Sequence, residues 1–237
     1  MAERPYTLLS CAMSLDGYLD DRSGQRLMLS TAADLDRVDA VRASCDAILV
    51  GAGTVRADNP RLVVRSRARR VRRVAEGRAP TPCKVTVTRH PTLDPTSAVF
   101  SPRDGDTLVY CASPSVGGTR QRLGSAATVV DAGKSPTMRW VSEDLAARGV
   151  RRLMVEGGQS VLTQFLALGL ADELQLVVAP FFVADSGAHR VVADGPLPFN
   201  RDRRARLADV RQIDDVVLLR YALSARFEQD DPEGPTR

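Results

Sequence analysis

Two rhythms of apolar positions alternate along the chain. Mostly apolar runs of strand length occur at residues 6–13 and 46–50, and again at 85–88, 107–111, 127–130, 152–155 and 174–179. Runs of this kind predict strands buried on both faces. Between them the spacing lengthens. Ser30 and Thr31 sit where a helix cap belongs, and Leu35, Val38 and Val41 fall on one helical face, so a helix is expected to reach about Ser44. A short helical turn at 55–58 is stopped by Asn59-Pro60, and Leu62-Val63-Val64 reads as a short strand. Further helices are predicted over 140–148, closed by Gly149, and over 159–168, closed by Gly169. Gly117-Gly118 marks a loop, and Ser14-Leu15-Asp16-Gly17 a turn.

Strand and helix alternate through the first two thirds of the chain, then strand-like runs follow one another at 204–210 and 216–223. The class is therefore α/β: a mostly parallel sheet flanked by helices, with an antiparallel C-terminal edge. No internal repeat and no long linker divides it. One domain over residues 1–225 is expected, with 226–237, polar and carrying two prolines and a glycine, as a disordered tail.

Composition narrows the function. The chain has 237 residues, 43% of them hydrophobic, enough for a sizeable core. No apolar run approaches the roughly 18 residues of a membrane span, and the polar start of the chain lacks a signal peptide's apolar segment. A cytoplasmic location is expected. Cys11, Cys45, Cys83 and Cys111 lie far apart without a C-x-x-C pair, which suits a reducing compartment and neither a disulfide framework nor a zinc site. His90 and His189, the only two histidines, are too few for a multi-histidine metal centre. A net charge of +4 suits an anionic ligand. Seven arginines crowd residues 65–78, namely Arg65, Arg67, Arg69, Arg70, Arg72, Arg73 and Arg78. Without interleaved aromatics this run is expected to be a solvated loop, not a nucleic-acid patch.

Two loops carry chemistry. Glu156-Gly157-Gly158 follows a strand and opens a helix, where unpaired backbone N–H groups favour an anion and glycines let a pyrophosphate approach. Gly51-Ala52-Gly53-Thr54 repeats the theme, with a hydroxyl available for phosphate or ribose. Each is also compatible with an ordinary tight turn, since the full G-x-G-x-x-G fingerprint is absent. No acidic residue stands where a ribose 2′-hydroxyl would want one. Arg89, just past a predicted strand, is the candidate for a 2′-phosphate, which makes NADPH the expected cofactor. Arg42 lies at the edge of the apolar stripe of its helix, where a solvated arginine is the default.

Taken in order, Ser14-Leu15-Asp16-Gly17, the stretch 45–62 (CDAILVGAGTVRADNPRL), Met154-Val155-Glu156-Gly157-Gly158, residues 169–174 (GLADEL) and Ala179-Pro180 resemble the pyrimidine reductase family of riboflavin biosynthesis, over roughly residues 5–222. The resemblance implies a dihydrofolate-reductase-like fold, a homodimer, and NADPH-dependent reduction of the ribosyl group of a phosphoribosylamino-pyrimidine to ribityl. By position it implies cofactor contacts from Thr54, Asp58, Gly158, Gln159, Ser160, Val161 and Leu162, to which the glycine-loop reading adds Gly157, and substrate contacts from Arg42, Leu62, Arg65 and Glu156. Glu156 and Asp16 are the candidate catalytic residues. The substrate end departs from the family pattern. Ser10 replaces a lysine or asparagine, Arg26 a serine and Met28 a tryptophan, while Arg89 replaces a serine near the cofactor. Arg26 is counted with the substrate residues as an added cation. The departures keep open a same-fold reductase of a pterin or specialised metabolite, and the arginine run a non-catalytic nucleotide- or nucleic-acid-binding module. The zinc deaminase domain often fused ahead of this reductase is not in the sequence, so a stand-alone reductase is expected. No metal, membrane or nucleic-acid partner is expected.

Overall fold

A computed structural model describes residues 3–24, 27–101 and 104–227. In chain order its elements are β1 (Tyr6–Met13), α1 (Ala32–Ser44), β2 (Ala47–Gly51), α2 (Ala52–Asp58), α3 (Arg67–Ala75), β3 (Cys83–Thr88), β4 (Thr107–Cys111), α4 (Val116–Leu123), β5 (Thr128–Asp131), α5 (Met138–Ala147), β6 (Arg152–Val155), α6 (Gln159–Ala167), β7 (Glu173–Val178), β8 (Arg206–Ile213) and β9 (Val216–Ala222). They fall into two compact units, one of Asp39–Met154 with the first residues of the chain, the other of Tyr6–Val38 and Val155 onward.

In the first unit the strands run in the order β5-β4-β3-β2-β6. β2, β3, β4 and β5 pair in parallel, with Gly51 opposite Val87 and Thr88 opposite Cys111. β2 is buried at every position, as its unbroken apolar sequence requires of a strand covered on both faces. Parallel neighbours place their carboxyl ends side by side, so the segments after β2 and β3 emerge together.

In the second unit the order is β1-β7-β9-β8. β1 and β7 are parallel, while β9 runs antiparallel to both β7 and β8, giving the antiparallel edge. β7 alternates in burial but not in the usual sense. Its buried positions are Glu173, Gln175 and Val177, while Leu174, Leu176 and Val178 are half-buried. The polar side is satisfied by a chain of hydrogen bonds. Arg220 Nε donates to Glu173 at 2.9 Å, Tyr6 Oη donates to it at 2.9 Å, and Gln175 Nε2 at 2.8 Å. Arg37 then donates to Gln175 Oε1 at 2.6 Å and to Asp34 at 2.8 Å.

This network corrects the expected stripe of the first helix. Val41 is buried, but Leu35 and Val38 are only half so, and the side that packs inward includes Asp34 and Arg37. The arginine run is also corrected. Residues 67–75 form α3, capped by Ser66, whose side chain accepts from the Arg69 N–H. Arg73 is 3% exposed and donates to the carbonyls of Ala43, Cys45 and Ala79. Arg69 and Arg78 pair with Asp39 and Asp46. Leu62-Val63-Val64 forms no strand, because Leu62 takes a left-handed backbone, φ 52°, that breaks an extended run. Gly117 and Gly118 lie within α4, not in a loop. Of the expected tail, residues 228–237 fall outside the described residues.

Glu173 is fully buried and Arg220 is 5% exposed, so removing one leaves the other's charge without compensation. Arg220→Met should cost about 3–5 kcal/mol of stability, read as a fall in urea midpoint. A loss below about 1 kcal/mol, the range of an exposed pair, would show that the network carries little of the unit's stability.

Candidate functional site

In the first unit the expected residues lie on α2, just past β3, and on α1 with the 62–66 loop. α2 follows β2 directly and carries Thr54, half-buried, and Asp58, exposed. It ends at Asn59 in a left-handed conformation, and the Asn59 side chain accepts from Ala98 N–H at 2.7 Å. Arg89 is exposed just past β3, the strand next to β2. Its carbonyl accepts from Ser115 Oγ at 2.7 Å, which fixes the backbone and leaves the side chain projecting. The sequence pattern thus places Thr54 and Arg89 after the carboxyl ends of adjacent parallel strands.

At the 62–66 loop, Arg42 is half-buried, not solvated, and donates to Val63 O at 3.2 Å. Leu62 is 1% exposed. Arg65 follows with its side chain 52% exposed. Asp39, one helical turn before Arg42 and 2% exposed, accepts from the Arg65 and Ser66 N–H groups at 2.5 and 3.1 Å. Composition gave no signal for Asp39. Its partners lie 26 and more residues away in sequence.

In the second unit Glu156 is half-buried at the end of β6, followed by Gly157 and Gly158 at φ 119° and 68°. Two consecutive residues in this region favour glycine strongly. Nothing lies within 4 Å of where a Cβ on Gly157 would project. Gly158 caps α6 without a side chain; the Val161 and Leu162 N–H groups donate to its carbonyl at 3.0 and 3.1 Å, so the helix start at Gln159 and Ser160 is the part that can face an anion. Val161 and Leu162 are buried and anchor the helix, Ser160 is exposed, and Gln159 donates to Val192 O at 3.3 Å.

Asp16 sits in the turn after β1. Its carboxylate accepts from Ser14 Oγ at 2.6 Å and from the N–H groups of Val183 and Ala184 at 3.1 and 2.8 Å. Burial alone would raise its pKa, but the hydrogen bonds from Ser14, Val183 and Ala184 outweigh it and hold the carboxyl down to about 2. Such a group is a fixed anion pinning two loops together. A carboxylate so held is ionised near neutral pH and acts there as a hydrogen-bond acceptor. Arg26 lies outside the described residues. Among them, no group of three His, Cys, Asp or Glu side chains is placed to hold a metal ion, and no helix is long and apolar enough to cross a membrane.

Residues 5–219 match the RibD C-terminal domain family. The chain belongs to that family. It is 32% identical over 227 residues to the 2,5-diamino-6-ribosylamino-4(3H)-pyrimidinone 5′-phosphate reductase of Archaeoglobus fulgidus, covering 95% of this chain and 100% of that one. The Methanothermobacter thermautotrophicus reductase of the same description is 34% identical over 193 residues, covering 81% and 85%. Among solved structures, a pyrimidine reductase-like protein from Corynebacterium diphtheriae superposes with a TM-score of 0.79 at 26% identity, covering 92% of this chain and 91% of that one. A Thermotoga maritima deaminase/reductase, TM-score 0.70 at 23% identity, shows the same fold, and the chain spans 56% of it. The fold is thus the RibD-type, dihydrofolate-reductase-like one. Membership in a reductase family implies a nicotinamide cofactor.

Asp16 gives a test with a defined sign. Its folded pKa lies below the 3.8 of an ordinary aspartate, so its contribution to stability is complete above about pH 4 and fades as pH falls toward 2. Asp16→Asn should be less stable than the natural chain at neutral pH, and the gap should narrow through that window in thermal melts. A gap independent of pH would contradict the assignment.

Proposed function

We propose that this chain is an NADPH-dependent reductase converting the ribosyl group of a phosphoribosylamino-pyrimidine to ribityl, with residues 1–225 acting as one reductase domain. The observation that carries the reading is similarity to the Archaeoglobus fulgidus reductase along the whole of that protein. The family match, which runs unbroken through both compact units, supports the single domain.

When bound, the reduced nicotinamide supplies the hydride, so the protein's work is to bind, orient and polarise. Gly157 and Gly158 admit a pyrophosphate to the α6 backbone, and the N–H groups of Gln159 and Ser160 meet its charge. Thr54 donates its hydroxyl to phosphate or ribose, with Asp58 beside it on α2. Arg89 takes the 2′-phosphate that distinguishes NADPH. Arg42 and Arg65 bind the sugar phosphate, for which a guanidinium's planar fork is suited. Glu156 accepts hydrogen bonds from the pyrimidine or the opened sugar's hydroxyls.

A cytoplasmic enzyme working as a homodimer completes the proposal. β8 supports the second part: it is an edge strand with Leu207 and Val210 exposed at 50% and 53%, a template for pairing with another chain. The arginine run argues against nucleic acid, because Arg69, Arg73 and Arg78 are committed to internal partners. One observation favours a second reading, a same-fold reductase of a pterin or specialised metabolite. Ser10 is buried in β1 opposite Gln175, where the resembled family carries a lysine or asparagine.

Steady-state kinetics with both nicotinamides tests the cofactor assignment. NADPH should exceed NADH in kcat/KM by about ten-fold or more, the worth of one charge-assisted contact, and Arg89→Ala should remove most of that preference. Gly158→Val should weaken binding of either cofactor in a folded protein. Equal efficiency with NADPH and NADH would overturn the preference, and undiminished affinity in Gly158→Val would overturn the placement.

A further inference from the structure

The C-terminal turns of α1 hold the 62–66 loop from two directions. Arg42 donates to the Val63 carbonyl, and Asp39 accepts from the amides of Arg65 and Ser66. Asp39 also faces the Arg65 guanidinium, with Nε 3.8 Å away, and accepts from Arg69 Nη1 at 3.0 Å. A carboxylate that is 2% exposed must have such partners to be tolerated. What is particular is their distribution. Arg69, 19% exposed, supplies charge compensation from within, while Arg65 is held at its backbone and along one edge of its side chain, and remains 52% open to solvent.

An arginine on a loop ordinarily has several rotamers and a mobile backbone, and ordering both weakens any anion it binds. Here the backbone amide is fixed by the same buried carboxylate that faces Nε at 3.8 Å, while the side chain stays 52% exposed. We propose that Asp39 is a positioning residue that presents Arg65 to the phosphate of the substrate. This rests on the reading of Arg65 as a phosphate ligand given above. Asp39 touches neither substrate nor cofactor. Its effect is exerted through Arg65, and so is confined to substrates that carry the phosphate.

The test uses the whole chain with NADPH and two substrates, the phosphoribosylamino-pyrimidine and its dephosphorylated counterpart. The natural enzyme should show a much lower KM for the phosphorylated compound. Asp39→Asn should raise that KM by about ten-fold, the scale of one charge-assisted contact, with kcat changed less than about two-fold and the KM of the dephosphorylated compound unmoved. Asp39→Glu, which keeps the charge one methylene further out, should fall between the two, and serves if Asp39→Asn does not fold. In an Arg65→Ala background, Asp39→Asn should add nothing to the loss of phosphate discrimination, because both act through one contact. Equal KM for the two substrates in the natural enzyme would overturn the phosphate reading and the inference with it. Discrimination in the natural enzyme that survives Asp39→Asn, or a loss shared by both substrates, or additive losses in the double variant, would overturn the inference and leave the phosphate reading standing.

Discussion

Parallel pairing of β2, β3, β4 and β5 is the constraint from which the first unit's chemistry follows. Parallel strands must be joined by crossovers, and every crossover leaves from a carboxyl end. Once Gly51 is opposite Val87, the segments carrying Thr54 and Arg89 have to leave the sheet as neighbours. No side chain has to be chosen for that. It follows from strand direction, and strand direction follows from apolar runs too continuous to have a solvated face. The residues that bind ligands can then vary on top of a frame they do not determine.

The second unit handles polarity the other way. Its β7 turns Glu173 and Gln175 inward and closes their hydrogen bonds with Arg220, Tyr6 and Arg37. The first unit does the same on a smaller scale with Asp39. In both, a buried carboxylate dictates where an arginine sits. The protein's many arginines therefore have two uses. Arg37, Arg69, Arg73 and Arg220 are internal struts, while Arg65 and Arg89 stand open to solvent on anchored backbone.

What could be read in the sequence was what depends on near neighbours. β2 and the Gly51–Thr54 turn, β6 and the Glu156-Gly157-Gly158 turn, and the paired strands at the C-terminal end are local patterns of apolar length and glycine position. What could not be read depended on distant partners. α3 looks like a solvated loop until Asp39, 30 residues before Arg69, supplies the compensating charge. β7 looks ordinary until Arg220, 47 residues beyond Glu173, and Arg37, 138 residues before Gln175, are seen to turn its polar side inward. Leu62 failed for a different reason: a left-handed φ on a leucine is uncommon, and an apolar triplet gives no sign of it. Asp16 was visible as a motif residue, but only its three donors show that it is an anchor.

Following the hydride itself tests the reduction. With the phosphoribosylamino-pyrimidine and NADPH deuterated at the nicotinamide C4 position, the product should carry one deuterium, at the former anomeric carbon of the opened sugar, as read by mass spectrometry and NMR. Oxidation of the cofactor with deuterium delivered to another position, or no turnover of this substrate by a chain that binds NADPH, would contradict it.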